Sequence, residues 1–244
     1  MSVTRDEIVV AAGEPWTFDA TVTDAFDDML ARSIPGYDEM RRVVAGTAVH
    51  LIDRGPRPRK PPRILDLGAS RGEGVVPLLE RYPDASVEAI EISEPMLDVL
   101  RERLAPYPNA YAIDRDLAVH PPELLGADLA LCVLTLQFIP IETRYDLLAD
   151  VYDALRPGGA LILVEKVLGE TPNGDQLLRD LYAEHKRAVG YSDEQIEAKR
   201  RSLQNVLVPV PASLTERWLA STGFAPVERV WQSLSFAGWV AIRA

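Results

Sequence analysis

The stretch from Arg63 to Gly74 constrains this chain more than any other. A short apolar run, Ile64-Leu65-Asp66-Leu67, meets a turn carrying Gly68 and Gly72 and passes at once into a segment with helical apolar spacing. That order reads as strand, tight turn, helix, the opening of a parallel βαβ unit. A residue without Cβ turns at positive φ and lets a ligand lie against the backbone, while the following helix presents unpaired N–H groups. The expected ligand is nucleotide-like.

Two details narrow the ligand. The spacing is Gly-x-x-x-Gly preceded by Asp66, which is neither the Gly-x-Gly-x-x-Gly of dinucleotide sites nor a phosphate loop ending in Gly-Lys-Ser/Thr, so pyrophosphate is disfavoured. A second strand, Ser86 to Glu91, then ends in an acid about 20 residues past the turn, where a carboxylate can accept bonds from both ribose hydroxyls. Glu91 is therefore expected to hold a ribose.

With these come Ser93-Glu94-Pro95, a helix-start signal before Met96, Leu97, Leu100 and Leu104, and "LRPGGALILVEK" from Leu155 to Lys166. The ordered set of "ILDLGASRG", "VEAIEISEPML" and "LRPGGALILVEK" resembles the class I S-adenosylmethionine (SAM)-dependent methyltransferases over roughly Arg63 to Lys166. The resemblance implies an α/β, Rossmann-like class I methyltransferase fold. Its first loop, with Asp66, Gly68, Ala69, Ser70 and Gly72, would face the amino-acid part of the cofactor, and Glu91 with Ile92 the ribose. An acid and an apolar residue beyond strand three would bracket adenine; Asp116 and Leu117 match best, with Asp114 as the fallback.

The remaining segments fit that frame. Expected strands are a short one near Ala110 to Ile113, Ala127 to Leu134, Ala160 to Glu165, Val227 to Gln232 and Leu234 to Arg243, giving a seven-stranded, mostly parallel sheet closed by a C-terminal antiparallel hairpin. Helices are expected over Glu73 to Tyr82, Glu142 to Leu155, which Arg156-Pro157-Gly158-Gly159 would close, and Ser213 to Thr222. Trp16, Phe18, Val22, Phe26, Met29 and Leu30 form a stripe through one N-terminal helix, and Pro35-Gly36 forces a turn before a helix from Asp38 to about Asp53, leaving Tyr37 beside it. The polar, helix-patterned residues from 167 to 211, broken at Gly190-Tyr191-Ser192, read as a two-helix cap. The expected organisation is an N-terminal helical cap segment and linker (1–62), a SAM-binding core (63–166), a helical cap insertion (167–211), and a helix and hairpin completing the core (212–244).

The cap carries a sharper resemblance. "RSIPGY", "LTLQF", "PGGALILVEK", "HKRAVGYSDEQIEAKR", "LQNV" and "WQSLSF…VAIRA" together are similar to the carboxy-S-adenosylmethionine synthase family from Phe18 onward. In that family a tyrosine matching Tyr37 and an arginine matching Arg200 bind the carboxylate on the modified sulfonium, the arginine from across a dimer interface, which implies a homodimer through the cap. An arginine fork meets a carboxylate with two parallel charge-assisted bonds. Read alone, Tyr37 is a half-buried ring with a wetted hydroxyl, and Arg200 beside Lys199 and Arg201 is a solvated helix face.

The chain also departs from that family. Its Asp-Asn pair is Glu91-Ile92 here, its Gly-Cys-Ser is Gly68-Ala69-Ser70, and its asparagine before "TLQF" is Val133, which removes an amide from the cofactor site. The first expectation is therefore methyl transfer to a small carboxylate-bearing metabolite such as a 2-oxo acid. In line, water-shielded alignment of the nucleophile is then the main requirement, with Tyr37, Arg200 and Gln137 on the substrate. Carbon methylation beside a carbonyl also needs a base, and His185, in the cap, is the candidate; the bland reading is an exposed helix histidine. The alternatives are carboxy-SAM synthesis from SAM and a prephenate-type donor, and a non-catalytic SAM-binding partner subunit. The cofactor is SAM or carboxy-SAM.

Composition excludes several other classes. A net charge of −11 disfavours a nucleic-acid partner, because phosphate binding is driven by Lys and Arg releasing counterions. The basic cluster Arg54, Arg57, Arg59, Lys60 and Arg63 is interleaved with prolines and reads as a solvated linker. The N-terminus lacks a basic-then-apolar signal pattern and the run from Leu129 to Phe138 is too short to span a bilayer, so the expectation is a cytoplasmic protein without membrane association. One cysteine, Cys132, falls in a buried strand and reads as structural. No His/Asp/Glu/Cys cluster has metal-ligand spacing.

Overall fold

The computed structural model describes residues 15–54 and 61–244. The unpatterned first residues and most of the basic linker lie outside the described residues. Strand β1 (Arg63–Leu67) pairs in parallel with β2 (Ser86–Glu91) and β4 (Ala127–Val133), β2 with β3 (Ala110–Asp114), and β4 with β5 (Leu155–Leu168). The chain then turns back: β8 (Phe236–Arg243) is antiparallel to β5, and β7 (Phe224–Ser233) to β8. The order across the sheet is β3-β2-β1-β4-β5-β8-β7, the seven strands expected, with the hairpin at one edge. An eighth strand, β6 (Val210–Pro211), was not expected; it pairs with Val167 and Leu168 at the end of β5.

The central strands are apolar on both sides because helices cover both faces. Successive residues alternate between two cores: Ile64, Leu129, Leu131, Ile162 and Val164 face one, Leu65, Ala130, Cys132, Leu161 and Leu163 the other. The first is closed by α3 (Tyr37–Arg54), α4 (Val76–Arg81) and α5 (Glu94–Leu104), the second by α6 (Arg144–Ala154) and α9 (Ala212–Ser221). Cys132 is buried, and burial pushes its thiol well above the usual range, which fits a structural role.

Two local departures have physical causes. The N-terminal stripe forms two short helices, α1 (Ala20–Asp24), capped by the Asp19 carboxylate accepting from the Val22 N–H at 3.0 Å, and α2 (Phe26–Ser33). The break at Ala25 lets Trp16, Val22, Phe26 and Met29 wrap one cluster around Met96 of α5 instead of following a single straight face. The Arg156-Pro157-Gly158-Gly159 segment does not end a turn before β5 but lies within the strand as a bulge. Pairing jumps from Ala127↔Leu155 to Leu129↔Ala160, and Gly158 supplies φ +80.

Between β5 and β6 lie α7 (Pro172–Ala188) and α8 (Asp193–Ser202), broken at Gly190-Tyr191 as the pattern indicated. The residues after α8 are tied to the turn that follows β4 by Val208 N–H on the Gln137 carbonyl at 2.9 Å, and Trp16 N–H donates to the Ser202 carbonyl at 2.9 Å. Both ends of the chain's helical additions thus close over the C-terminal ends of β1, β4 and β5.

Candidate active site

A cavity of about 490 Å³ opens at those strand ends, where ligands of open α/β sheets bind. The loop after β1 enters it along a path that needs left-handed backbone: Gly68 has φ +70, Ser70 φ +50 and Gly72 φ +92. Ala69 N–H bonds the Ile90 carbonyl at 2.8 Å, and Ser70 N–H bonds Glu91 Oε2 at 2.9 Å, so the loop is sewn to the end of β2. Glu91 Oε1 accepts from Ile92 and Ser93 N–H at 2.8 and 2.9 Å. The carboxylate faces the cavity held by three amides, with Ile92 exposed at the rim.

Of the two glycines expected to lie against a ligand, Gly68 lines the cavity and Gly72 does not. A Cβ on Gly68 would stand 2.3 Å from Thr135 Oγ1, so it is the loop after β4 that presses on Gly68. Gly72 does not line the cavity; a Cβ there would meet Leu100 and Val76 at 3.0 Å. Gly74, absent from the expected site, does line it: a Cβ would fall 2.8 Å from Asp66 Oδ2.

Asp66 is the group most poised for a ligand. It is buried, lines the cavity, and its Oδ2 has no hydrogen-bond partner. Burial pushes its carboxyl up to about 7, with Arg41 pulling down and Glu73 and Glu91 pushing up. An orphaned buried acceptor costs free energy until a donor arrives. Beyond β3, Asp116 and Leu117 line the cavity and Asp114 does not; Asp116 Oδ1 accepts from Ala118 N–H at 2.8 Å. Val133 lines the wall beneath Thr135. The residues present therefore fit a nucleoside bearing a cationic tail: acceptors at Asp66, Glu91 and Asp116, and apolar faces at Ile92 and Leu117.

Part of the lining is aromatic and basic. Tyr37 lines the cavity half-buried, its phenol pushed up to about 12 chiefly by burial. Lys166, near the end of β5, Lys186 and Lys199 line it as well, with Tyr182 and Phe236. Gln137 is buried in the wall, and both atoms of its amide are engaged internally: Nε2 donates to the Leu134 carbonyl at 3.3 Å and Oε1 accepts from Lys166 N–H at 2.7 Å.

Two expected residues stand away from the cavity. His185 is half-buried and stacks behind Tyr182 with ring centroids 6.5 Å apart; its Nε2 has no hydrogen-bond partner, and burial lowers its basicity. Arg200 is exposed on α8, its guanidinium bonded twice to Glu197 at 2.8 Å. Neither lines the cavity.

The chain is 33% identical over 253 residues, covering both chains entirely, to the carboxy-S-adenosyl-L-methionine synthase of Shewanella baltica (strain OS155 / ATCC BAA-1091). The synthase of that name from Pasteurella multocida (strain Pm70) is 32% identical over 93% of each chain. The chain belongs to the carboxy-S-adenosyl-L-methionine synthase family. Residues 64–159 also match the methyltransferase domain family, and the protein is a SAM-dependent transferase of the class I fold. Solved structures agree at the level of fold: human N-acetylserotonin methyltransferase in complex with SAM (TM-score 0.62, 16% identity) and an O-methyltransferase family protein from Burkholderia thailandensis (TM-score 0.64, 17% identity). The alignments cover 92% and 96% of this chain but 55% and 65% of those longer ones. Among the described residues no helix is long and apolar enough to cross a membrane.

Proposed function

We propose that this enzyme converts SAM to carboxy-SAM with a small prephenate-type acid as carboxyl donor. The observation that carries the reading is one cavity in which a nucleoside cradle runs directly into a lysine-lined aromatic end. Such a cavity suits a cationic sulfonium beside an anionic second substrate. In the balanced reaction the donor releases CO2 and hydroxide and becomes aromatic, the methyl group of SAM loses a proton to that hydroxide, and a carbon–carbon bond joins the methyl carbon to CO2. Water and the aromatic 2-oxo acid are the other products.

Within that reading Glu91 accepts the ribose hydroxyls, Asp116 the adenine amino group, and Asp66 Oδ2 the ammonium of the methionine tail, while Ile92 and Leu117 flank the base. Gly68, Ala69 and Ser70 give the tail a backbone floor, Gly72 sets the turn behind it, and Val133 and Gln137 close the wall. Tyr37 donates its phenol O–H to the new carboxylate. Arg200, exposed and bonded to Glu197, serves the cavity of a second subunit in a homodimer built through α7 and α8. A protein that works this way is a small-molecule enzyme of the cytoplasm, with no nucleic-acid partner.

Methyl transfer to a 2-oxo acid is the second reading, favoured by Val133 and Ile92, which stand where the family has asparagines at the cofactor. His185 is its candidate base and needs Tyr182 to turn aside. Mass spectrometry of reactions containing SAM and either prephenate or a panel of 2-oxo acids separates the two. Carboxylated SAM with phenylpyruvate supports the first, a methylated acid with S-adenosylhomocysteine the second, and SAM retained unchanged with every acid would leave a non-catalytic SAM-binding subunit.

A further inference from the structure

Lys166 sits near the end of β5, opposite Phe236 of β8, with its backbone N–H fixed on Gln137 Oε1. Its ammonium lies 4.5 Å from the centroid of the Tyr182 ring and 5.9 Å from that of Phe236. Tyr182 is itself immobilised, its hydroxyl donating to the Ser33 carbonyl at 2.7 Å. A second ammonium, that of the buried Lys186, lies 5.4 Å from the same ring and 3.4 Å from Ser33 Oγ. Two cations thus share one aromatic wall of the cavity.

That arrangement is costly for Lys166. Desolvating its ammonium is compensated only in part by an aromatic face, and a like charge shares the wall. Among the described residues no carboxylate forms an ion pair with Lys166; Asp175, at the start of α7, acts on it only at longer range. Burial lowers its ammonium to about 8, as an under-compensated cation should behave. The ligand that repairs this is an anion, and the rings beside it accept an apolar body.

We propose that Lys166 is the carboxylate anchor of the second substrate, with Lys186 as the supporting cation and Tyr182 and Phe236 as the walls for that substrate's apolar body. The anchor selects small organic acids with a cyclic or flat hydrocarbon portion and discriminates against amines and neutral molecules. It rests on the reading that the enzyme brings a small acid to SAM; the Lys166 anchor serves either reaction considered above, and the Tyr182 wall belongs to carboxy-SAM synthesis.

The test compares the native protein with Lys166→Met and Lys166→Arg. Isothermal titration of prephenate and of phenylpyruvate into the S-adenosylhomocysteine complex reads binding without requiring turnover, and SAM titration into each variant reads the cofactor end. The expected result is acid affinity weakened roughly 10- to 100-fold in Lys166→Met and partly restored in Lys166→Arg, with SAM affinity unchanged. Where turnover is measurable, KM for the acid rises by the same factor and kcat moves less. Acid affinity that is unchanged in Lys166→Met, or lost in step with SAM affinity, overturns the anchor, as does a native complex that binds neither acid. Acid binding that depends on Lys166 but yields no carboxylated SAM would leave the anchor standing and remove the synthase reading instead.

Discussion

Glu91 Oε2 receives the amide of Ser70 at 2.9 Å, joining the acid at the end of β2 to the left-handed residue of the cofactor loop. One carboxylate therefore sets the loop's position and faces the cavity, so its chemistry matters more than its volume. Glu91→Gln keeps the volume but replaces an accepting oxygen with a donating NH2 group. The expected outcome is a SAM Kd raised roughly 10- to 100-fold, the range for losing a hydrogen bond to a charged group. Calorimetric titration checks it, and an unchanged Kd would take the ribose away from Glu91.

Asp66 gives a pH dependence of two opposite signs. Its carboxyl sits at about 7 in the folded protein, above its ordinary value, so the folded state holds this proton more tightly than the unfolded chain. Its contribution to stability is present below the unfolded value and is lost as pH rises through 7. The ligand-free protein should lose melting temperature between pH 5 and 8 more steeply than Asp66→Asn, with those pH values taken as about one to two units either side of the shifted group. Cation binding needs the ionised carboxylate, so SAM affinity should climb over the same window in the native protein and stay flat in the variant. Thermal melts with and without SAM read both effects.

Gly68 and Thr135 form a tight pair across two loops, and a methyl group at Gly68 has nowhere to go. Gly68→Ala should destabilise by about 2–4 kcal/mol, the sum of an overpacked contact and a left-handed backbone that disfavours Cβ. Thr135→Gly alone should cost less, and the double variant should recover part of the loss, leaving the backbone share. Denaturant unfolding of the four proteins in a double-mutant cycle measures the coupling. Simple additivity would mean that the two loops do not share that space.

What the sequence revealed and what it hid divide along the same line. The β1 turn, Glu91, the two-sided apolar strands and the break at Gly190 are local signals, written in periodicity and glycine placement, and each appears where the pattern put it. The reason for Gly68 was not local, because Thr135 is far along the chain. The break at Ala25 follows from wrapping around Met96, and β6 from a two-residue pairing that no periodicity marks. Lys199 read as part of a solvated helix face and Lys186 carried no signal of its own, since only the folding of α7 and α8 over the sheet turns them toward the cavity. Asp116 was the better match in sequence and Asp114 the fallback, and the chain's path after β3 brings Asp116 and not Asp114 to the lining.

Arg71 fastens the cofactor loop to the N-terminal helices: its Nη2 bonds Asp27 at 2.5 Å, Nη1 the Thr23 carbonyl at 3.3 Å, and Nε Glu73 at 3.1 Å. Phe18, Phe26 and Met29 line the cavity from this segment, so Arg71→Ala should loosen the wall over the cofactor without touching the strands. Faster SAM dissociation in stopped-flow exchange and faster proteolysis near α1 and α2 are expected, with the melting temperature only slightly lowered because part of this network is exposed. An unchanged dissociation rate would mean that the N-terminal helices do not gate the site.

Arg144 and Glu165 are both buried, and between them they hold the turn from Leu136 to Phe138 that closes the cavity wall. Glu165 accepts the N–H groups of Leu136 and Gln137 at 2.9 and 2.6 Å, and Arg144 donates to the carbonyls of Ile139 and Gln137 at 2.8 and 3.1 Å. Burial pushes the Glu165 carboxyl up to about 8 against the pull of those amides and of Arg144. Arg144→Leu removes the guanidinium that pulls on that carboxylate and leaves two carbonyls without their donor, which should cost about 2–5 kcal/mol, mostly the penalty of orphaned buried acceptors. The loss should shrink as pH is lowered below the shifted value, because a protonated Glu165 no longer needs the guanidinium. Denaturant unfolding of the native protein and the variant on both sides of that value measures it. A cost that is equal at both pH values would place the damage in the orphaned carbonyls and not in the charge.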